Sequence, residues 1–112
     1  ISVSSIGGLR GSPVIGAYCI SKAADMQLAR NLAVEYGPDN VRVNCIAPGL
    51  IKTDFAKALW DDPETLKKST SGAALKRIGE PDEIAGCAVF LASAAGGFVT
   101  GQNFVVDGGA TI

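Results

Sequence analysis

The chain has 112 residues, of which 47% are apolar and 19% are charged, and its formal net charge is −1. This composition is typical of one soluble globular domain. Basic residues are too sparse for a phosphate-binding surface, so we expect no nucleic-acid partner. The sequence contains no histidine. The commonest metal ligand and the usual general base are therefore missing, and we expect no metal site.

The cysteines and one long uncharged segment bear on the compartment. Cys19, Cys45 and Cys87 are odd in number and lack disulfide or zinc spacing, which predicts buried thiols in a reducing, cytoplasmic compartment. Residues 84–106 contain no charge, but glycines and polar residues interrupt them. A buried helix, a loop and a buried strand explain this pattern better than a membrane span, so we expect neither a membrane partner nor a signal peptide.

The first half of the chain has a strand–helix–strand pattern. An apolar–polar run predicts a strand over residues 1–4, and a loop rich in glycine, proline and serine follows it. Helical periodicity predicts a long helix over residues 14–36, with one apolar stripe of Ala17, Ala24, Leu28 and Leu32 and a neighbouring face of Tyr18, Lys22, Met26, Ala29 and Ala33. Such small, alanine-rich faces let helices approach closely, so we expect this helix to pack against another subunit as well as its own sheet. A buried strand is predicted over residues 41–46. Two strands joined by a helix indicate a parallel sheet, whose ligands lie beyond the carboxyl ends of the strands.

The second half has a weaker pattern and then a clear helix and strand. Residues 54–75 contain short helical turns, a helix start at Asp62-Pro63 and a loop over residues 69–72. We expect this segment to be a lid that closes an apolar wall of Phe55, Leu59 and Trp60 over a substrate. The alternative is an ordinary surface connection. Glu80-Pro81 opens a further helix, which ends before Gly96, and residues 102–106 form the last strand.

Three residues around the first loop outline a proton-transfer site. Tyr18 and Lys22 lie one turn apart on one helix face, where the ammonium favours the phenolate and makes the phenol a usable base. Ser5 follows the first strand, where its hydroxyl can bind a substrate oxygen. The alternative is a packing tyrosine beside a solvated lysine, because this spacing is common by chance.

Six segments in order resemble the C-terminal half of a classical short-chain dehydrogenase/reductase: VSSIGG, AYCISK, VRVNCIAPGLIKT, RIGEPDEIAG, FLAS and TGQNFVVDGG. The resemblance implies the C-terminal part of a doubly wound, parallel-sheet, Rossmann-like α/β fold with three strands, two main helices and a lid segment. We expect residues 1–112 to be the catalytic half of one domain, with the lid at about residues 54–75. The N-terminal cofactor-binding half is absent, and the start at Ile1 within a strand pattern indicates a fragment.

The same resemblance implies catalytic roles for three residues. Tyr18 would be the acid/base in an oxidoreductase that interconverts a carbonyl and an alcohol by hydride transfer with NAD or NADP. Lys22 would assist Tyr18 and hydrogen-bond the nicotinamide ribose. Ser5 would orient and polarise the substrate carbonyl, whereas Ser4 would be structural.

The resemblance also assigns cofactor contacts. Pro48 and Gly49 would line the nicotinamide pocket, and Ile51 and Thr53 would hold its carboxamide through backbone and side chain. The residues that select NAD or NADP belong to the absent half, so that choice stays open. The 112-residue piece alone is therefore expected to bind neither cofactor and to be inactive.

The predicted partners are a small-molecule ketone or alcohol and further copies of the chain. The resemblance favours a carbonyl reductase-like or 3-oxoacyl reductase-like enzyme that forms a dimer or homotetramer. The alternative function is non-catalytic: a truncated chain that acts only as a subunit-interaction module.

Overall fold

A computed structural model describes all residues from 1 to 112. The three strands are β1 (Ser2–Val3), β2 (Cys45–Pro48) and β3 (Asn103–Val106), and they form one parallel sheet in that order. The α-helices are α1 (Gly16–Tyr36), α2 (Pro63–Thr70) and α3 (Pro81–Ala92). Four short 3-10 helices span Ile6–Leu9, Gly37–Asp39, Asp54–Leu59 and Ala94–Gly96. The predicted partial doubly wound fold is confirmed.

Local signals explain where helix α1 begins and ends. The Ser12 hydroxyl oxygen accepts hydrogen bonds from the backbone N–H groups of Val14 and Ile15, at 3.2 and 3.1 Å, just before the first turn. At the other end Asn40 adopts the left-handed conformation, with φ 59°, and its N–H returns to the Gly37 carbonyl. Asparagine tolerates this conformation, which ends the 3-10 turn Gly37–Asp39 that directly follows the helix. The predicted helix is confirmed to within two residues at its start.

The buried face of α1 differs from the predicted stripe. The helix buries Cys19, Met26, Ala29 and Ala33, and Met26 and Ala29 pack with Cys45 and Ala47 of β2. Leu28, by contrast, is 53% exposed, and Ala17 and Ala24 are exposed as well. Of the two predicted faces, the one that contains Met26 and Ala29 therefore packs on the sheet. The stripe lies beside the buried face, because the helix is rotated so that Met26 covers β2.

Strand β2 is shifted relative to the prediction of residues 41–46. The ladder runs over Cys45–Pro48, opposite Asn103–Val106 of β3. Before it, the Asn44 side chain donates to the Val99 carbonyl at 2.8 Å and accepts from the Gln102 N–H at 3.0 Å. The Val43 N–H donates to the Thr100 hydroxyl oxygen. In this stretch side-chain hydrogen bonds accompany isolated backbone ones, such as that from the Gly101 N–H to the Val43 carbonyl, and the regular ladder starts only at Cys45.

Helix α3 covers the sheet next to β3. Phe90 and Phe104 meet edge to face, with ring centroids 6.1 Å apart, a geometry that aromatic pairs favour. Leu91 is buried, and its carbonyl accepts a 2.7 Å hydrogen bond from Arg42. At the start of the helix, the Glu83 carboxylate accepts from the Glu80 N–H at 2.8 Å, as a helix-capping acid does.

The segment predicted as a lid contains two short helices. The Asp62 carboxylate caps α2 by accepting from the Thr65 N–H at 2.8 Å, so the predicted helix start is confirmed. Helix α2 continues to Thr70, so the prediction of a loop from residue 69 is partly wrong. The segment ends in backbone hydrogen bonds from Ala74 and Leu75 to the carbonyls of Gly109 and Gly108, which attach it to the chain after β3.

Candidate active site

The end of β1 is joined directly to helix α1. Ser4 is buried, and its hydroxyl donates a 2.8 Å hydrogen bond to the Lys22 carbonyl. A β-carbon on Gly8 would lie 2.7 Å from the Lys22 carbonyl carbon and from the Ala23 nitrogen. Only glycine permits so close an approach of two backbones. The loop after β1 is therefore held against the turn of α1 that contains Lys22.

Ser5 and Tyr18 converge at Gly7. The Ser5 hydroxyl oxygen accepts from the Gly7 N–H at 3.0 Å and caps the 3-10 turn Ile6–Leu9. A β-carbon on Gly7 would lie 3.2 Å from Cε1 of Tyr18 and 3.4 Å from the Ser5 hydroxyl oxygen. The ring and the serine hydroxyl thus flank the same glycine. Tyr18 is half-buried, and its hydroxyl makes no hydrogen bond within the chain.

Lys22 completes the predicted group of three. Its ammonium nitrogen lies 5.6 Å from the centroid of the Tyr18 ring, one helical turn along α1. The same nitrogen lies 3.1 Å from Oδ2 of Asp25 and forms an ion pair with it. Sequence reasoning missed Asp25, although an acid three residues after a helical lysine is a recognised pairing distance.

Burial and nearby charges act together on the pKa of the Cys45 thiol, which lies on β2 against the part of α1 that contains Lys22 and Asp25. Burial raises the pKa of Cys45 most, and the negative charge of Asp25 raises it further. Hydrogen bonding from Ser4 and the positive charge of Lys22 oppose this rise. The thiol is therefore uncharged near neutrality, and the Asp25 carboxylate acts across the contact between α1 and β2.

The predicted cofactor contacts follow the end of β2. Parallel pairing places Ile46 opposite Val3, so Pro48 and Ser5 emerge at the same edge of the sheet. The Gly49 N–H donates to the Val106 carbonyl at 3.0 Å. A β-carbon on Gly49 would lie 2.7 Å from the α-carbon of Asp107. Gly49 thus packs β2 against the turn after β3.

Ile51 and Thr53 lie in the segment that follows. Gly79 hydrogen-bonds the Leu50 carbonyl at 3.0 Å and the Lys52 N–H at 2.9 Å, one on each side of Ile51. The N–H of Ile51 itself has no backbone partner. Thr53 is exposed, and its hydroxyl makes only a 3.5 Å contact with the Ile51 carbonyl.

The predicted lid residues do not form an apolar wall within this chain. Phe55 is 89% exposed and Leu59 is 49% exposed. Trp60 is half-buried and donates a 3.0 Å hydrogen bond to the Thr53 carbonyl, while the Lys52 ammonium lies 5.8 Å from its ring centroid. Trp60 thus supports Thr53, whereas Phe55 is free to contact a ligand.

A small pocket of about 130 Å³ lies between these elements and does not include Ser5, Tyr18 or Lys22. Its apolar walls come from Leu50, Ile51, Leu75 and Val106. The Asp107 carboxylate at its edge is partly buried, which raises the pKa of this acid, but hydrogen bonds from Thr111, Gly109 and Ala110 outweigh burial and lower it. Asp107 therefore ends β3 as a structural cap.

Comparison with known proteins identifies the family. The family model described as "Enoyl-(Acyl carrier protein) reductase" matches residues 1–111. The chain belongs to the short-chain dehydrogenase/reductase family of oxidoreductases, which confirms the resemblance seen in the sequence.

No helix meets the length and hydropathy needed to cross a membrane.

Two curated relatives illustrate the similarity. The chain is 45% identical over 109 residues to "Dehydrogenase/reductase SDR family member 4" of Bos taurus, covering 97% of the chain and 39% of that protein. It is 49% identical over 111 residues to the 3-oxoacyl-[acyl-carrier-protein] reductase FabG of Chlamydia trachomatis, covering 97% of the chain and 43% of that protein. The chain thus spans about two fifths of the length of these relatives.

Solved structures agree with the fold. A 4-hydroxyisoleucine dehydrogenase complexed with NADH superposes with a TM-score of 0.93 at 37% identity, over 97% of the chain and 45% of that protein. A blue fluorescent protein from a metagenomic library, in complex with NADPH, gives 0.88 at 32% identity, over 98% of the chain and 44% of that protein.

Proposed function

We propose that this chain is the C-terminal catalytic part of an NAD(P)-dependent oxidoreductase that interconverts a carbonyl and an alcohol. The observation that carries the proposal is the convergence of the Ser5 hydroxyl and the Tyr18 ring at Gly7, with the Lys22 ammonium 5.6 Å from that ring. A donor, an acid/base and a cation thus meet at the carboxyl edge of a parallel sheet, where α/β proteins bind ligands.

Tyr18, Lys22 and Ser5 each have a different role in the proposed proton transfer. The Tyr18 hydroxyl, which has no partner within the chain, gives its proton to the substrate oxygen during reduction and takes it back during oxidation. The Lys22 ammonium stabilises the phenolate that this transfer leaves behind. The Ser5 oxygen accepts from the Gly7 N–H, which leaves its own proton free to be donated to the substrate oxygen.

The residues after β2 fit a nicotinamide ring. The bound cofactor supplies or accepts the hydride. The unpartnered N–H of Ile51 and the exposed hydroxyl of Thr53 match the hydrogen-bonding needs of a carboxamide, and Pro48 with Gly49 gives an apolar wall beside them. Lys22 has three N–H donors, of which Asp25 occupies one; another can bind the cofactor ribose.

The substrate is proposed to be a small ketone or its alcohol, or a 3-oxoacyl compound, as the similarity to FabG suggests. The exposed Phe55 and Leu59, together with Trp60, provide apolar contacts for such a compound. Both NADH and NADPH occur in similar solved structures, so either cofactor is compatible with the proposal.

We also propose assembly into a dimer or tetramer in the cytoplasm. Large apolar side chains stand exposed on both main helices, among them Ile20 and Val34 of α1 and Val89 of α3, at 73, 81 and 67%. Burial of such side chains between subunits is favourable. The three cysteines are free, which suits a reducing compartment. Light scattering of the full-length protein would measure the oligomer.

The experiment that tests the function uses the full-length protein. NADH and NADPH oxidation is followed with a panel of ketones and 3-oxoacyl thioesters, and the alcohol product is identified. Lys22→Ala should lower both turnover and cofactor affinity, whereas the matched control Arg30→Ala, on an exposed part of the same helix, should change neither. A folded protein that binds a dinucleotide but turns over no compound of the panel would contradict the proposal. The alternative, a non-catalytic truncated chain that acts only as a subunit-interaction module, requires that the natural product be the 112-residue chain, which the intact mass measures.

A further inference from the structure

The ion pair between Lys22 and Asp25 is more shielded than any other in the chain. Its side chains are 25% and 34% exposed, and the nitrogen–oxygen distance is 3.1 Å. In the other three ion pairs every side chain is at least 41% exposed. Exposed pairs contribute little, and shielding strengthens the interaction between charges. Asp25 is therefore the one acid whose charge acts directly on the proposed catalytic lysine.

We propose that Asp25 is a positioning residue that holds the Lys22 ammonium and offsets part of its charge, and thereby sets the pH range in which Tyr18 exchanges its proton. The inference rests on the proposed function. It adds to that function a residue that acts through Lys22 and touches neither substrate nor cofactor.

Geometry supports the holding role. The Lys22 carbonyl is fixed by the Ser4 hydroxyl at 2.8 Å, and its ammonium is fixed by Asp25 at the other end of the side chain. A lysine side chain otherwise samples many rotamers, and each unfixed torsion reduces the time that the charge spends beside Tyr18. Asp25 thus places the charge one turn below the phenol.

The surroundings contain few other charges. On α1, Tyr18 and the buried Cys19 lie within about one turn of Lys22, and Cys45 faces the pair from β2. Strand β1 and the 3-10 turn Ile6–Leu9, which also pack against α1, contain no ionisable side chain. The charge of Asp25 raises the pKa of the Cys45 thiol, after burial as the main cause. The charge of Asp25 therefore acts as far as the buried Cys45 thiol.

The expected sign follows from these charges. The ammonium favours the phenolate, and a carboxylate bound to the ammonium weakens that effect. Asp25→Asn keeps the size and shape of the side chain and removes its charge. The unopposed ammonium should then let Tyr18 release its proton at lower pH, by about one pH unit, because one charge at short range typically has an effect of this order.

The test uses the full-length protein and two independent readouts. The first is the pH profile of kcat/KM for alcohol oxidation, whose rising limb reports the base. The second needs no turnover: the tyrosinate absorbance of the cofactor-free protein is titrated, and the titration of the matching Tyr18→Phe protein is subtracted. The variants are Asp25→Asn, Asp25→Glu, which keeps the charge, and Glu35→Gln, which removes an exposed acid from the same helix.

Both midpoints should fall by about one pH unit in Asp25→Asn and should stay near the wild-type value in Asp25→Glu and Glu35→Gln. Unchanged or raised midpoints in Asp25→Asn would overturn the inference and leave the pair a structural one. If Asp25→Asn does not fold, Asp25→Ser must give the same downward shift. If no alcohol is oxidised, the proposed function fails alone, and the tyrosinate titration still decides the role of Asp25.

Discussion

The Ser4 hydroxyl donates a 2.8 Å hydrogen bond to the backbone carbonyl of Lys22. This bond joins the carboxyl end of β1 to the turn of α1 that contains Lys22. Because Ser5 is the next residue, the bond also helps to position the Ser5 hydroxyl relative to Tyr18 and Lys22. Under the proposed function the two adjacent serines differ: Ser4 would hold β1 against α1, and Ser5 would bind the substrate oxygen.

Ser4→Ala and Ser5→Ala should separate these roles in the full-length protein. Ser4→Ala removes the side-chain donor to the Lys22 carbonyl and should lower the free energy of unfolding by about 1 kcal/mol, with a smaller loss of turnover. Ser5→Ala should lower kcat by about 100-fold because it removes a donor to the reacting oxygen. Chemical denaturation and steady-state kinetics measure the two effects. An equal loss of turnover in both variants would contradict the division.

Gly8→Ala should force the loop and helix α1 apart. The new methyl group would lie 2.7 Å from backbone atoms of Lys22 and Ala23, and a backbone cannot yield as a flexible side chain does. We expect a loss of about 1–3 kcal/mol in stability and a clear loss of kcat, because Ser5 moves away from Tyr18. The control is Gly11→Ala, whose methyl group would meet no atom within 4 Å. Similar melting temperatures for both variants would argue against the close approach.

Glu83 should make the free energy of unfolding depend on pH. A hydrogen bond from Arg77, and then one from the Glu80 N–H, lowers its pKa to about 2. A carboxyl whose pKa is depressed in the folded state stabilises the protein above its unfolded value of about 4.3 and loses that contribution as the pH falls toward 2. Glu83→Gln should therefore lower the urea midpoint at pH 7 and have a smaller effect near pH 2.5. The control, Asp82→Asn, removes an adjacent acid that forms no ion pair; a pH-independent effect of Glu83→Gln would contradict the linkage.

Phe55→Ala tests the lid with little risk to folding. The ring is 89% exposed, so stability should not change, whereas the ranking of ketones by kcat/KM should change if Phe55 contacts substrate. Cofactor affinity should stay constant. Phe98→Ala is a matched control, because that ring is also fully exposed and lies outside the lid. If the order of ketones by kcat/KM is the same in Phe55→Ala as in the wild type, residues 54–75 are an ordinary surface connection.

Periodicity and capping predicted most of the fold. The start signals at Asp62 and Glu80 and the stop after Tyr36 depend on interactions within a few residues, so they can be read from the sequence. The start of β2 could not, because it depends on hydrogen bonds between the Asn44 side chain and the backbone of residues more than fifty positions away. The rotation of α1 stayed open in the sequence for a similar reason: small apolar side chains occur on two of its faces, and only packing against β2 selects one.

The candidate site was predicted from motif order more than from physical chemistry. Tyr18, Lys22 and Ser5 are common residues, and their spacing alone is compatible with simple packing. The roles of Gly8 and Asp25 were missed. The contact of Gly8 with α1 is visible only in three dimensions. The three-residue spacing between Lys22 and Asp25 can be read from the sequence, but Asp25 lies outside the motif of Ser5, Tyr18 and Lys22.

Turnover of the Tyr18→Phe variant in the full-length protein tests the central claim most directly. The change removes the hydroxyl that has no partner within the chain and keeps the ring against Gly7, so the fold and the cofactor affinity should persist. We predict a fall in kcat of about 10²–10⁴-fold, the range that a positioned acid/base supplies. Tyr36→Phe, which removes a hydroxyl from the exposed end of the same helix, should remain fully active. A Tyr18→Phe protein that kept more than about a tenth of the wild-type rate would contradict the assignment of Tyr18 as the acid/base.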